Sequence, residues 1–350
     1  MNRSVIVYAL LLLGSIGWAY QTWTHEDELA LHDEVVILPG TPEQLASVVY
    51  TSDALTLSVE LREDEHGRYA WGHSEPQPKE ETEPEPAPAG DEGGGDSDGE
   101  SEAGPPPAPE PEQFKLGRAG DAFLADIAPF LAKRQLEGVG DDLTGFGLAE
   151  PSATLEITRE GKEPRRFELG SNVFGGASVY VRDPADGAIY LVDAKLIRTL
   201  EGGTRTLPDR DLTGIDERKV EHVTLRVGDR QASFTQHNPD DSEARYWSPR
   251  GEDEESVDAS AWVDKALRLR SSQYVQEGQT PVDLAHAFDL KVEAQDGRAV
   301  TVEVLRSFDD EGQEQFFARS EHTRGLVRLP RAIVAEASAD IESALRAGGA

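Results

Sequence analysis

The second half of this chain repeats the pattern of its first, and that repetition constrains everything else. Gly161, Leu191 and Ile197 correspond to Gly297, Val327 and Ile333, each pair 136 residues apart. Phe123, Leu124, Ile127 and Phe130 correspond to Trp262, Val263, Ala266 and Leu269 at a spacing of 139. A chain of 350 residues has room for two such copies, each with a core of its own. A duplicated module behind an apolar N-terminus points to a scaffold or binding protein, not to a particular reaction.

Each copy has the same order of patterns. In the first, Leu55, Leu57, Val59 and Leu61 alternate with polar residues as in a half-buried strand, and Tyr69-Ala70-Trp71 returns after a turn. In the second, Val223, Leu225 and Val227 precede the turn Gly228-Asp229, and residues 231–236 return. A helix is expected next in each: residues 122–134 capped by Asp121, and a second capped by Asp258 or Ser260 and ending near residue 270. Phe123/Ile127/Phe130 and Trp262/Ala266/Leu269 each place one apolar stripe on such a helix, and Pro129 should shorten the first. Further hairpins follow, turning at Gly161 and Gly297. Each copy closes on a helix, residues 194–200 and 331–345. The expected class is α+β, two tandem repeats of an antiparallel sheet with helices on one face. The first repeat occupies residues 24–208 and the second 209–350, with residues 209–218 as the joint.

Residues 74–112 interrupt the first copy. They hold 13 acids against Lys79 alone, ten Pro and six Gly, and no apolar side chain larger than Ala. Such a segment cannot bury enough surface to offset the entropy of ordering, so it is expected to be disordered. From Trp71 to Phe123 is 52 residues, whereas the corresponding Trp247 to Trp262 is only 15. The tract is therefore an insertion within a copy, not a boundary between copies.

At the N-terminus, residues 5–19 are apolar apart from small residues. Residues 1–23 are expected to form a single transmembrane helix, with Trp18, Tyr20 and Trp23 at one interface. Arg3 precedes the run and no Lys or Arg follows before Arg62, which keeps the N-terminus cytoplasmic and exports the rest. A cleaved signal peptide, cut after Ala19, is the rival; it gives the same exported location, the periplasm of a bacterium.

The formal charge is −33, from 67 acidic and 34 basic residues, which argues against nucleic acid as a partner. No cysteine is present, so disulfides and thiolate chemistry are excluded. The histidines, at 25, 32, 66, 73, 222, 237, 286 and 322, show no helical metal-ligand spacing. His25 and His32 with their neighbouring acids form the densest set of ligand-type residues, better explained as a solvated helix. No nucleophile elbow or phosphate-binding glycine loop is present. Trp71 and Trp247, at corresponding places, are expected to be core or hairpin anchors. The sequence thus nominates no catalytic, cofactor-binding or metal-binding residue and no cofactor.

Four motifs carry a resemblance: Phe146-Gly147-Leu148-Ala149-Glu150-Pro151, Phe167-Glu168-Leu169-Gly170-Ser171, Val179-Tyr180-Val181-Arg182 and Tyr190-Leu191-Val192-Asp193. Over about residues 143–262 the chain resembles domain-of-unknown-function family 4340, bacterial membrane-anchored proteins. The resemblance implies association with ABC-type transport components akin to those of gliding machinery, and supplies no catalytic residue. The expected function is a non-enzymatic, membrane-tethered periplasmic scaffold whose partners include permease components. The alternatives are a small-molecule or glycan-binding protein and a hydrolase using acidic residues.

Overall fold

A computed structural model describes residues 34–77 and 110–348. The strands before the acidic tract are β1 (Val35–Leu38), β2 (Leu45–Ser52), β3 (Leu55–Asp64) and β4 (Gly67–Pro76). After it come β5 (Glu112–Lys115), α1 (Arg118–Ile127), β6 (Phe130–Ala132), β7 (Arg134–Leu136), β8 (Ala153–Arg159) and β9 (Arg165–Asn172). Then follow β10 (Ser178–Arg182), β11 (Ile189–Asp193), α2 (Ala194–Glu201), β12 (Val220–Val227), β13 (Arg230–His237) and β14 (Tyr246–Pro249). The chain continues as α3 (Val257–Leu267), β15 (Gln273–Tyr274), β16 (Ala285–Ala294) and β17 (Ala299–Phe308). It closes with β18 (Glu314–Arg319), β19 (Val327–Leu329), α4 (Arg331–Ala339) and α5 (Ile341–Gly348).

The expected α+β class is corrected by this inventory. The described residues are mostly antiparallel sheet, and none of their helices exceeds 11 residues. The cause is local: period-two alternation runs through both copies, and tight turns at Gly161 (φ 65°) and Gly297 (φ 84°) return each strand at once. Backbone groups are then satisfied by neighbouring strands, and helices remain only as short connections. Among the described residues no helix is long and apolar enough to cross a membrane, so the transmembrane helix of the expected fold has no counterpart there. Residues 1–23, to which it was assigned, lie outside the described residues.

The described chain forms two compact units. The first takes residues up to 56 with 122–201. In it β2, β8, β9, β10, β11 and β7 neighbour one another in that order, and β1 pairs with β6. Leu155, Ile157, Phe167, Leu169 and Val181 fill the core, with Phe130 edge-on to Phe167 at 5.2 Å.

The second unit takes residues 57–121 with 202–350. Its order β12, β16, β17, β18, β19, β15 is that of the first unit strand for strand, and β13 and β14 extend it beyond β12. Here β5, β4 and β3 also lie side by side. Trp247, Trp262, Phe234 and Phe317 are the large core side chains, and Trp262 Nε1 donates to Ala337 O at 3.1 Å.

Three local expectations shift. The strand equivalent to β12 is β2, since each follows a 3-10 turn (Pro42–Gln44, Glu217–Lys219) and pairs with the strand that runs into the turn at Gly161 (β8) or Gly297 (β16). The first copy therefore opens at Leu45, not at Leu55. The helix expected to residue 134 stops at Ile127, because Pro129 has no N–H to donate and residues 130–132 enter β6. The cap of α3 is Ser256, whose hydroxyl accepts from Ala259 N; Ser260 instead accepts from Trp247 N at 2.9 Å.

Residues 78–109 of the acidic tract lie outside the described residues. Its two ends are strands, with Ser74 opposite Glu112 and His73 opposite Gln113 in an antiparallel pair.

Candidate functional site

Three ionisable side chains from distant parts of the sequence meet in the second unit. Lys115 comes from the end of β5, Asp209 from the segment leading to β12, and His322 from the turn between β18 and β19. Backbone pairing brings the first two together: Asp209 N donates to Lys115 O at 2.8 Å and Gly117 N to Leu207 O at 2.9 Å. A Cβ on Gly117 would lie 2.8 Å from Asp209 Cα, so the approach requires glycine. The third is held by Ser320, whose hydroxyl donates to Leu212 O at 2.6 Å and accepts from the His322 and Thr323 amides. Gly214 (φ 63°) lies so close to the His322 ring that any side chain there would collide with it.

Asp209 Oδ2 accepts from Lys115 Nζ at 2.6 Å and from His322 Nε2 at 2.7 Å, while its Oδ1 accepts from Asp211 N at 3.0 Å. The lysine and aspartate side chains are each only 12% exposed. Burial alone would raise the Asp209 carboxyl, but the hydrogen bond from His322 and the Lys115 cation outweigh it and hold the group at about 2. An ionised Asp209 fixes His322 with its proton on Nε2 and anchors Lys115 from behind. Nearby, burial first and then the Asp209 charge push the Tyr274 hydroxyl up, and its ring stands edge-on to Trp71 at 5.9 Å.

Lys115 and His322 line one wall of a cleft of about 450 Å³, and Asp209, which holds both, lies outside that lining. Arg68 and Tyr69 from β4, Arg298 from the β16–β17 turn, and Glu321 and Arg324 from the loop of His322 also line it. The Arg324 guanidinium lies 5.2 Å over the Tyr69 ring, with its Nε 3.1 Å from Asp64. The geometry can hold and orient a polar ligand.

Elsewhere the ionisable pairs are structural. His237 Nε2 lies 2.8 Å from Ser248 Oγ, the spacing of a nucleophile and its base. Yet Ser248 is fully buried and its hydroxyl donates to Glu252 O at 2.6 Å, so the histidine must be the donor and the serine is not activated. Among the described residues no group of three or more His, Asp or Glu could hold a metal ion; His25 and His32 lie outside them.

The sequence motifs of the resemblance lie in the first unit, and none of their residues lines the cleft. The phenylalanine of Phe146-Gly147-Leu148 stands edge-on to Tyr180 at 5.0 Å, and a Cβ on Gly147 (φ 66°) would lie 2.7 Å from Ser171 N. The motifs therefore interlock through close backbone approach, and Asp193 accepts from Lys195 N at 2.8 Å to start α2. Trp247 is buried in the core, and Trp71, on β4 beside β3, is half-buried. Sequence reasoning missed Lys115, Asp209 and His322, which stand 94 to 207 positions apart and share no motif.

Fold and site together define an antiparallel β protein with two units of matching strand order and a polar cleft in the second. Residues 123–290 match the family described as Domain of unknown function (DUF4340). Asp209 falls within the match; Lys115 and His322 do not. No curated protein and no solved structure matches the chain.

Proposed function

We propose that this chain is a non-enzymatic binding protein of the periplasmic side of a bacterial inner membrane, an accessory subunit of an ABC-type export or motility complex. The carrying observation is that Asp209 holds both Lys115 and His322, which line one wall of a cleft. Asp209 spends its charge on two neighbours and orients them, an arrangement suited to recognition. The apolar run at residues 5–19 with Arg3 before it supports the exported location.

The test is photo-crosslinking in intact membranes from a probe placed at His66, on the cleft rim. Recovery of a permease component supports the reading. Recovery of uncrosslinked chain alone overturns it. The size of the cleft also suits a small molecule, and saturable thermal stabilisation without a crosslinked protein would favour that second reading.

A further inference from the structure

The chain carries a charge of −33, yet its cleft gathers cations. Arg68, Lys115, Arg298 and Arg324 line it against Asp121 and Glu321, together with His66 and His322. Three acids that hold these cations, Asp209, Asp296 and Asp64, do not line it. Lys115 is held from behind by Asp209, Arg298 by Asp296 at 2.9 Å and Arg324 by Asp64. The Arg298–Asp296 pair is more than half exposed on both sides, so its mutual hold is weak and readily exchanged for another acceptor. Glu321 is already engaged, accepting from Thr301 N at 3.0 Å. The wall thus offers guanidinium and ammonium donors from separate segments around an aromatic side, Tyr69.

Donors of this kind match a group with several anionic oxygens, which accepts charge-assisted hydrogen bonds from two or three of them at once. We infer that the cleft binds a ligand through a carboxylate or phosphate group seated against Arg68, Arg298 and Lys115. This rests on the binding function proposed above and names the chemistry that it recognises.

The test uses the full chain in detergent and titration calorimetry with sodium phosphate and sodium succinate, with sodium chloride at matched ionic strength as the control. The variant is Arg68→Gln with Arg298→Gln; both side chains are exposed, so its unfolding midpoint should match that of the unaltered chain. Saturable heat with one anion, weakened tenfold or more in the variant and absent with chloride, is the expected result. Phosphate binding without succinate names a phosphoryl ligand, and the reverse a carboxylate. Phosphate also stabilises proteins non-specifically by exclusion from their surfaces, so an effect that never saturates counts against the site. No saturable heat with either anion, or equal affinity in the variant, overturns the inference. A permease crosslink found alongside that outcome would leave the binding function standing without its anion; anion binding with no crosslink would do the opposite.

Discussion

Trp71 and Trp247 each lie on the third strand of their copy, counting β2, β3, β4 and β12, β13, β14 along the chain, yet their surroundings differ. Trp247 is 1% exposed: α3 covers its strand, with Ser260 Oγ accepting from its backbone N–H and Asp264 accepting from its indole at 3.3 Å. Trp71 is half-buried, edge-on to Tyr69 at 6.2 Å and beneath the Arg62 guanidinium at 5.5 Å. The second copy runs from its third strand through a short loop into the helix. The first interposes the acidic tract and β5, which pairs with β4 and brings Lys115. The outer edge of β5 is met at Gln113 by one side chain, since Gln276 accepts from Gln113 N at 2.7 Å and donates to Gln113 O at 3.3 Å, and at Lys115 by the backbone of Asp209. Divergence between the copies, not their shared frame, therefore supplied the cleft with its lysine.

The largest expected effect tests that contrast. Trp247→Ala removes a fully buried indole and should cost about 3–5 kcal/mol in urea unfolding. Trp71→Ala, at the corresponding strand, should cost about 1–2 kcal/mol, because its side chain is only partly buried. Equal losses would show that the covering of α3 contributes nothing specific to the second copy.

Next in size is the acid response of the cleft. The Asp209 carboxyl lies near 2 in the folded protein and near 3.8 when free, so the folded state prefers the ionised form. Its contribution is fully present above about pH 4 and is lost as pH falls through 2, a loss of about 2 kcal/mol. Asp209→Asn should lower stability at pH 7 and flatten this part of the pH profile, read from urea midpoints between pH 5 and 2. A variant whose midpoint falls with acid as steeply as that of the unaltered chain would remove Asp209 from the cause.

Those two effects also divide what the sequence disclosed from what it hid. Strands β8, β9, β16 and β17 were legible, since their core residues alternate and their turns carry Gly161 or Gly297. Trp262 on α3 was legible by its helical spacing. The true opening strand was not, because the polar-flanked pattern from Leu45 to Ser52 is less regular than that from Leu55 onward, and only pairing with β8 reveals its place. The class was misjudged for a related reason: caps and apolar stripes announce helices more loudly than their lengths warrant, and α4 and α5 are separate helices where one of residues 331–345 was expected. The cleft was hidden because tertiary pairing alone unites Lys115, Asp209 and His322.

The smallest predicted effect asks how alike the two copies remain. Gly161 ends the β8 strand and Gly297 the β16 strand, both with positive φ and both with open space where a Cβ would lie. Nothing would collide with a methyl group at either place, so Gly→Ala there reports the left-handed backbone alone. Each substitution should cost about 1 kcal/mol, and by nearly the same amount, because turn geometry and not neighbouring packing sets the penalty. Unfolding midpoints of Gly161→Ala and Gly297→Ala compare the same turn in the two units. A loss at one position only would mean that the matching strand order conceals turns under different strain, and that the copies have diverged in their frame as well as around the cleft.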